Sequence, residues 1–511
     1  MSPCLQPVPS PRSRSRSVEW RSTSDPAAPA LPVAALILLV LLLLGLGGCA
    51  DNAPFRVTEA SASVTCRADE AGRLLEPACR TMTLEVSHDQ YNLMFVEFDD
   101  QGLQFPDKPF GEAAAFQITD AMKRLNALAA DHGKLTIFVY VHGWRHNAAH
   151  DDDDVRNFRK LLHDSALIEQ SRGTGHRVVG IYVGWRGLSA RFAPFRELSF
   201  WTRKNAALHV AQGSARELFA RLRGFRCAQS RRNGAADCND QDAFDRSNVR
   251  LFMIGHSFGA LVLYNAVAGS LVEAMTRAHD GGVRGAPTPR FADMVVLLNP
   301  AFEATRYTPL HRIATLGPPA TAEPPLMIAI TGSADDATRV FFPIGRTLNS
   351  LFQRTVNDEE ERANTNTIGH MPLYLTHTLV GPGPGSRPYC PQWVAAVGDG
   401  DRLPDEQLKA NVEAEQANAD EYQRTFGRAS RRERGWSRTF CSGAVLMHNG
   451  AHDPHSVLWN VIADNNVIRD HSDVDGPVLW GVLRQLYLDL GTYKGERAQP
   501  YIRGRWRDQS R

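Results

Sequence analysis

The chain has 511 residues, with 57 Lys and Arg against 56 Asp and Glu, 43% hydrophobic residues and eight cysteines. A net charge of +1 leaves no basic excess to neutralise phosphate backbones and no acidic excess of the kind disordered tails carry, so nucleic acid is not an expected partner. The length suits about three domains or one large elaborated core.

Near the N-terminus, Arg12, Arg14, Arg16 and Arg21 lie in a Ser/Pro-rich segment, and an apolar run without a charge follows from Leu31 to Gly48. A basic region ahead of an apolar run is an export signal. The run ends Leu46-Gly47-Gly48-Cys49. Small residues before a cysteine resemble the lipobox of bacterial lipoproteins, which implies lipidation of Cys49 as the mature N-terminus. The competing expectation is a retained signal anchor, because 18 apolar residues lie at the lower limit for spanning a bilayer. Residues 1–48 therefore read as a signal peptide or membrane anchor, and both readings place residues 50–511 outside the cytoplasm, in the cell envelope and held at the membrane.

Export gives the cysteines their meaning. Cys4 stays inside and Cys49 is taken by lipid, leaving Cys66, Cys79, Cys227, Cys238, Cys390 and Cys441. An even number in an oxidising compartment predicts three disulfides. Six cysteines permit 15 connectivities, of which one has Cys66–Cys79 and Cys227–Cys238 each closing a short loop and leaves Cys390–Cys441 to cross-link a long insertion. None has zinc-site spacing, and no metal or cofactor is expected.

Residues 49–91 read as an N-terminal extension with an early strand at Met82–Val86. Further strands are expected at Asn92–Phe98, Leu135–Val141, Arg177–Val183, Val249–Ile254, Asp293–Leu298, Leu326–Thr331 and Val457–Ala463. Helical patterns fill 154–169, 199–223, 259–277 and 477–489. Strands alternating with helices predict an α/β fold with a mostly parallel sheet. The run Asp151–Asp154 precedes a helix and reads as its cap rather than a calcium site. Arg226–Ser247 reads as a polar loop stapled by Cys227 and Cys238. Residues 340–440 hold Gly381-Pro382-Gly383-Pro384-Gly385 and a polar segment, Asp405–Tyr422, and read as an insertion or cap at a sheet edge before the last strand. Residues 491–511 form a basic tail.

The chemistry centres on Gly255-His256-Ser257-Phe258-Gly259, which follows the apolar run Val249–Ile254 and leads into the apolar run Ala260–Tyr264. A serine on a sharp strand-to-helix turn is a nucleophile elbow, and the two glycines remove Cβ atoms that would crowd it. On these residues the chain resembles the α/β-hydrolase superfamily. The resemblance covers roughly residues 92–490. His142-Gly143-Trp144, directly after a strand, is similar to that superfamily's oxyanion turn, which implies backbone N–H donors at Trp144 and Phe258. The superfamily's order of nucleophile, acid, histidine implies Asp335 in Gly332-Ser333-Ala334-Asp335 as the acid, with Asp336 and Glu303 as alternatives. It implies His471, between the last strand and the closing helix, as the base, with His370 as the alternative. Imidazole, with an ordinary pKa of about 6.5, suits proton transfer near neutral pH. His256 reads as a packing residue at the elbow, and Val183-Gly184-Trp185-Arg186-Gly187 as a second aromatic turn lining the same opening. The segments Phe95–Gly102 and Val141–His146 look like those of a poorly characterised bacterial branch of the superfamily.

The resulting expectation is an exported, membrane-anchored serine hydrolase, cleaving a small ester or lipid substrate through an acyl-enzyme. The reading from another class is a catalytically silent envelope protein that keeps the fold as an interaction scaffold.

Overall fold

In the computed structural model, which describes residues 53–494 except 59–63, 88–89, 107–115, 188–194, 236–237, 239–246, 281–287, 316–322, 350–353, 397–401 and 429–433, the apolar runs become strands. The expected leader with Cys49 and the arginines of the C-terminal tail lie outside the described residues. The strands are β1 (Leu84–Val86), β2 (Tyr91–Phe98), β3 (Leu135–Val141), β4 (Arg177–Trp185), β5 (Val249–His256), β6 (Met294–Leu298), β7 (Met327–Gly332), β8 (His377–Val380), β9 (Ser437–Thr439), β10 (Val445–His448) and β11 (Leu458–Ala463). The helices are α1 (Gln117–His132), α2 (Asp153–Ser171), α3 (Phe195–Gln212), α4 (Ala215–Arg232), α5 (Phe258–Asp280), α6 (Thr308–Thr315), α7 (Phe342–Asn349), α8 (Asp358–Thr365), α9 (Asp405–Arg428) and α10 (Pro477–Tyr493).

All eleven strands form one sheet in the order β1-β2-β4-β3-β5-β6-β7-β11-β8-β10-β9. From β2 to β8 every neighbour is parallel, while β1, β10 and β9 join antiparallel. A parallel sheet is covered on both faces, which is why its strands read as continuous apolar runs. On β3, Ile137, Val139 and Val141 face the layer of α1, α3, α4, α5 and α6, and Phe138 and Tyr140 face α2, α9 and α10. The chain leaves β3 through α2 towards β4 and leaves β5 through α5 towards β6. Right-handed crossovers in opposite directions lie on opposite faces, so a crevice opens where β3 and β5 end side by side. His142-Gly143 and Ser257 emerge there. Helix α5 is long and apolar enough over Phe258–Ala278 to cross a membrane, yet it packs between the sheet and α3, α4 and α6, as a helix apolar on all sides does in a core.

Several elements differ from expectation. Helix α1 buries Ile118, Ala121, Leu125 and Ala129, a helical spacing that marks one apolar face. The helix expected at 199–223 is two, broken at Gly213-Ser214, where the Ser214 N–H donates to the Gly102 carbonyl at 2.8 Å. Helix α4 then runs on to Arg232, so the first part of the stretch expected as a loop is helical and Cys227 is carried on that helix. The 340–440 region does not simply cover the sheet edge: β8 extends the sheet beside β11, and β10 and β9 continue it. These strands are three or four residues long, too short for a periodic signal. The polar segment from Asp405 is helix α9, whose inward face includes hydrogen-bonded polar groups. Asn411 exchanges hydrogen bonds with the backbone of Val394, and Glu415 accepts from Trp393 Nε1 and from the Arg484 guanidinium.

Three disulfides, Cys66–Cys79, Cys227–Cys238 and Cys390–Cys441, match the expected pairing. They indicate a domain that folds outside the reducing cytoplasm. The N-terminal extension is built into the fold. Buried Glu85 on β1 accepts from Arg56 at 2.9 Å and from Arg159 of α2 at 2.8 Å, with all three side chains at most 1% exposed. Glu85→Gln leaves two buried guanidinium groups without this carboxylate and is expected to cost about 3–5 kcal/mol. Urea denaturation measures this, and an unchanged midpoint would show that the cluster contributes nothing.

Candidate active site

Ser257 is the single residue between the end of β5 and the start of α5. Its φ of 56° lies in the left-handed region, uncommon for a side chain other than glycine. Besides the bonds its carbonyl accepts from the first turn of α5, its N–H donates to the Leu298 carbonyl at 2.9 Å and its carbonyl accepts from the Ala301 N–H at 3.3 Å. A Cβ at Gly259 would lie 2.0 Å from the Val141 carbonyl oxygen, and one at Gly255 would lie 2.8 Å from Ala260 Cα. Both glycines are therefore required by close backbone approach. Gly143 abuts the same turn, with its Cβ position 3.0 Å from Ser257 Cβ.

Three residues distant in sequence meet at this elbow. Ser257 Oγ donates to His471 Nε2 at 2.7 Å, and His471 Nδ1–H donates to Asp335 Oδ2 at 2.8 Å. The acceptor-only carboxylate fixes the tautomer, leaving Nε2 to receive the serine proton. Asp335 is fully buried, and its carboxylate also accepts from the Thr338 N–H at 3.2 Å and Thr338 Oγ1 at 2.6 Å. Burial works to raise its pKa, but the hydrogen bond and charge of His471 and the Thr338 bonds outweigh burial and hold it below the ordinary carboxylate value. The His471 side chain keeps 21% of its surface exposed, which leaves the imidazole reachable from solvent.

The alternatives lie elsewhere. Asp336 is exposed and pairs with Arg339 at 2.6 Å. Glu303 is ringed by Lys204, Arg306 at 2.9 Å and Arg346 at 3.3 Å. Burial opposes its ionisation, but Lys204 and Arg306 hold it at about 2. His370 Nε2 donates to Thr338 Oγ1 at 3.1 Å, behind the Asp335 carboxylate rather than beside Ser257. His256 is buried at the elbow with its Nε2–H donating to the His471 carbonyl at 3.0 Å. Burial pushes its pKa to about 4, so it is neutral.

His142 orders the neighbouring turn. Its Nε2 accepts from the Trp185 N–H at 3.0 Å, so the proton sits on Nδ1, which donates to the Gly143 carbonyl at 2.9 Å. Burial lowers this imidazole to about 4 as well. Trp185 stacks on it at 5.5 Å and is 3% exposed. Contrary to expectation, the Trp185 ring is core and does not line the opening. Trp144 instead packs edge-on against Phe200 at 5.3 Å, and Phe200 lies 4.8 Å from the Phe258 ring. As first residue of α5, Phe258 presents a backbone N–H that no helical carbonyl can satisfy. The Asp151–Asp154 run caps α2, with Asp152 accepting from the Asp154 N–H at 2.9 Å while also binding His146 at 3.0 Å.

A cavity of about 130 Å³ lies between α2, α10, Trp393, Val394 and Leu403, against Phe138, Phe252 and Ile254 on the opposite face of the sheet from α5. It touches none of Ser257, Asp335 and His471, so it is not the space in front of the serine.

Gly259→Ala is expected to destabilise the fold by about 3 kcal/mol or more, because backbone rather than a movable side chain fills the space. A near-native melting midpoint would contradict this. A second expectation concerns pH. Burial lowers His146, but Asp154 and Asp152 outweigh it and raise its pKa from 6.5 to about 9. Its stabilisation is full below pH 6.5 and lost as pH rises through about 9. The difference in unfolding free energy between wild type and His146→Gln should therefore shrink over that range. A constant difference would refute it.

No family model, no curated protein and no solved structure matches the chain at a significant level.

Proposed function

We propose that this chain is a serine hydrolase of the α/β-hydrolase kind, acting on carboxylic esters. The observation that carries the reading is the hydrogen-bonded series Ser257–His471–Asp335, with the serine on a left-handed strand-to-helix turn. In this mechanism His471 Nε2 takes the Ser257 proton as Oγ attacks the ester carbonyl, forming the new C–O bond. The imidazolium is stabilised by Asp335. The oxyanion is received by the backbone N–H groups of Trp144 and Phe258, the second also at the positive end of α5. Collapse expels the alcohol, which leaves with the proton from His471. Water then gives a proton to His471 as its oxygen bonds to the acyl carbon, and the bond from that carbon to Ser257 Oγ breaks as His471 returns the proton to Oγ, releasing the acid.

An apolar substrate is supported by the surroundings. Trp144 and Phe200 stand beside the elbow, and Val340, Phe341 and Ile344, soon after Asp335, expose 37%, 68% and 57% of their surface. Attachment to a membrane through Cys49, in the cell envelope, belongs to the same proposal. It would place the site near lipid esters.

Full-length protein is expected to be labelled by a fluorophosphonate and to hydrolyse short p-nitrophenyl esters. Ser257→Ala should abolish labelling, and Asp335→Asn should lower kcat by roughly ten-thousandfold. Equal labelling of wild type and Ser257→Ala would leave the silent scaffold as the better reading.

A further inference from the structure

Asn299, the residue after β6, is fully buried and has a φ of 42°, a left-handed conformation that asparagine tolerates better than most side chains. Its backbone N–H donates to the Ile330 carbonyl of β7 at 2.8 Å. Its side chain reaches two further elements. Oδ1 accepts from the Gly332 N–H at 2.9 Å, at the end of the strand that delivers Asp335. Because a backbone N–H can only donate, the other end of the amide must be the NH2 group. That group donates to the carbonyls of His471 at 2.9 Å and Asp470 at 3.3 Å. Residues close to Asn299 in the chain complete the arrangement, since the Leu298 carbonyl accepts from the Ser257 N–H and the Ala301 N–H donates to the Ser257 carbonyl.

We infer that Asn299 is the positioning residue of this site: its buried amide ties the loop that carries His471 to the strand end that carries Asp335, and so sets the distances at which the imidazole meets both partners. The inference rests on the hydrolase reading. Neither of the obvious replacements reproduces the amide. Aspartate keeps the size and tolerates the backbone conformation, but it turns two donors into an acceptor facing two carbonyl oxygens. Glycine keeps the backbone conformation and removes the side chain, leaving the His256 Nε2–H as the His471 carbonyl's one side-chain donor of this pair. In both cases the loop loses its fixed separation from β7. A displacement of about 1 Å at a reacting group costs on the order of a hundredfold in rate.

The test uses full-length protein with Asn299→Asp, Asn299→Gly and Ser257→Ala measured together on p-nitrophenyl butyrate. Both Asn299 variants should lose about a hundredfold in kcat while KM stays within about twofold, because the loss falls on the chemical step. The far-downfield proton resonance of His471 Nδ1–H should weaken or vanish in both, with folded fraction followed by near-ultraviolet circular dichroism. Wild-type kcat together with a retained resonance in either variant would overturn the inference. A loss of kcat only in proportion to lost folded protein would also overturn it, by assigning Asn299 a purely structural role. Activity surviving in Ser257→Ala would instead sink the hydrolase reading itself, and the two failures are thereby distinguished.

Discussion

The structure around the site depends on one steric constraint: the backbone at Ser257 must turn from β5 into α5 within a single residue, against the last carbonyl of β3. No Cβ fits at Gly259, where Val141 O already occupies the space, and the serine itself must accept a left-handed φ. Such a conformation costs of order 1–3 kcal/mol and persists when its surroundings over-determine it. Here they do, through the bonds to Leu298 and Ala301 on one side and the contact with Gly143 on the other. Because β3 and β5 are neighbours in the sheet, the same close approach brings the His142-Gly143 turn to the serine without any further device.

Three imidazoles lie close to this turn, and their surroundings give them different work. His142 and His256 are sealed in, so desolvation keeps them neutral, and each serves as a fixed hydrogen-bond group holding the turn or the His471 loop. His471 alone of the three has a carboxylate at one nitrogen and the serine at the other, with part of its ring open to solvent. Residue type did not decide which histidine bridges the serine and a carboxylate; burial and partners did.

The same distinction runs through the rest of the molecule. Buried polar groups recur wherever the apolar pattern in the sequence is weak: Glu85 between two arginines, Glu415 between Trp393 and Arg484, Asn411 against Val394. Each is satisfied by specific partners, which suits a low-dielectric interior where an unpaired group would be costly. Helix α9 escaped the hydrophobic pattern for this reason, since part of its inward face is made of such groups. The short strands β8, β9 and β10 escaped it because a run of three or four residues carries too few alternations to read. Helix α1 is legible in the sequence through Ile118, Ala121, Leu125 and Ala129, whose helical spacing marks one apolar face.

The long parallel strands and the turn at Ser257 were written in the sequence, because continuous apolar runs and glycines on a tight turn are local features; short spacing pointed to Cys66–Cys79 and Cys227–Cys238, while the bridge between Cys390 and Cys441 spans 51 residues and was reached only as the remaining pair. The sequence also named Asp335 and His471, but left Asp336, Glu303 and His370 open beside them. The tertiary structure alone brought His471 to Asp335 and to Ser257, across separations of 136 and 214 residues, turned Asp336 to solvent and engaged Glu303 with cations. It alone also placed the Asn299 amide between the two arms. The physical reason is that a hydrogen bond between side chains depends on strand order and loop register, and neither is written in the spacing of the residues that make it.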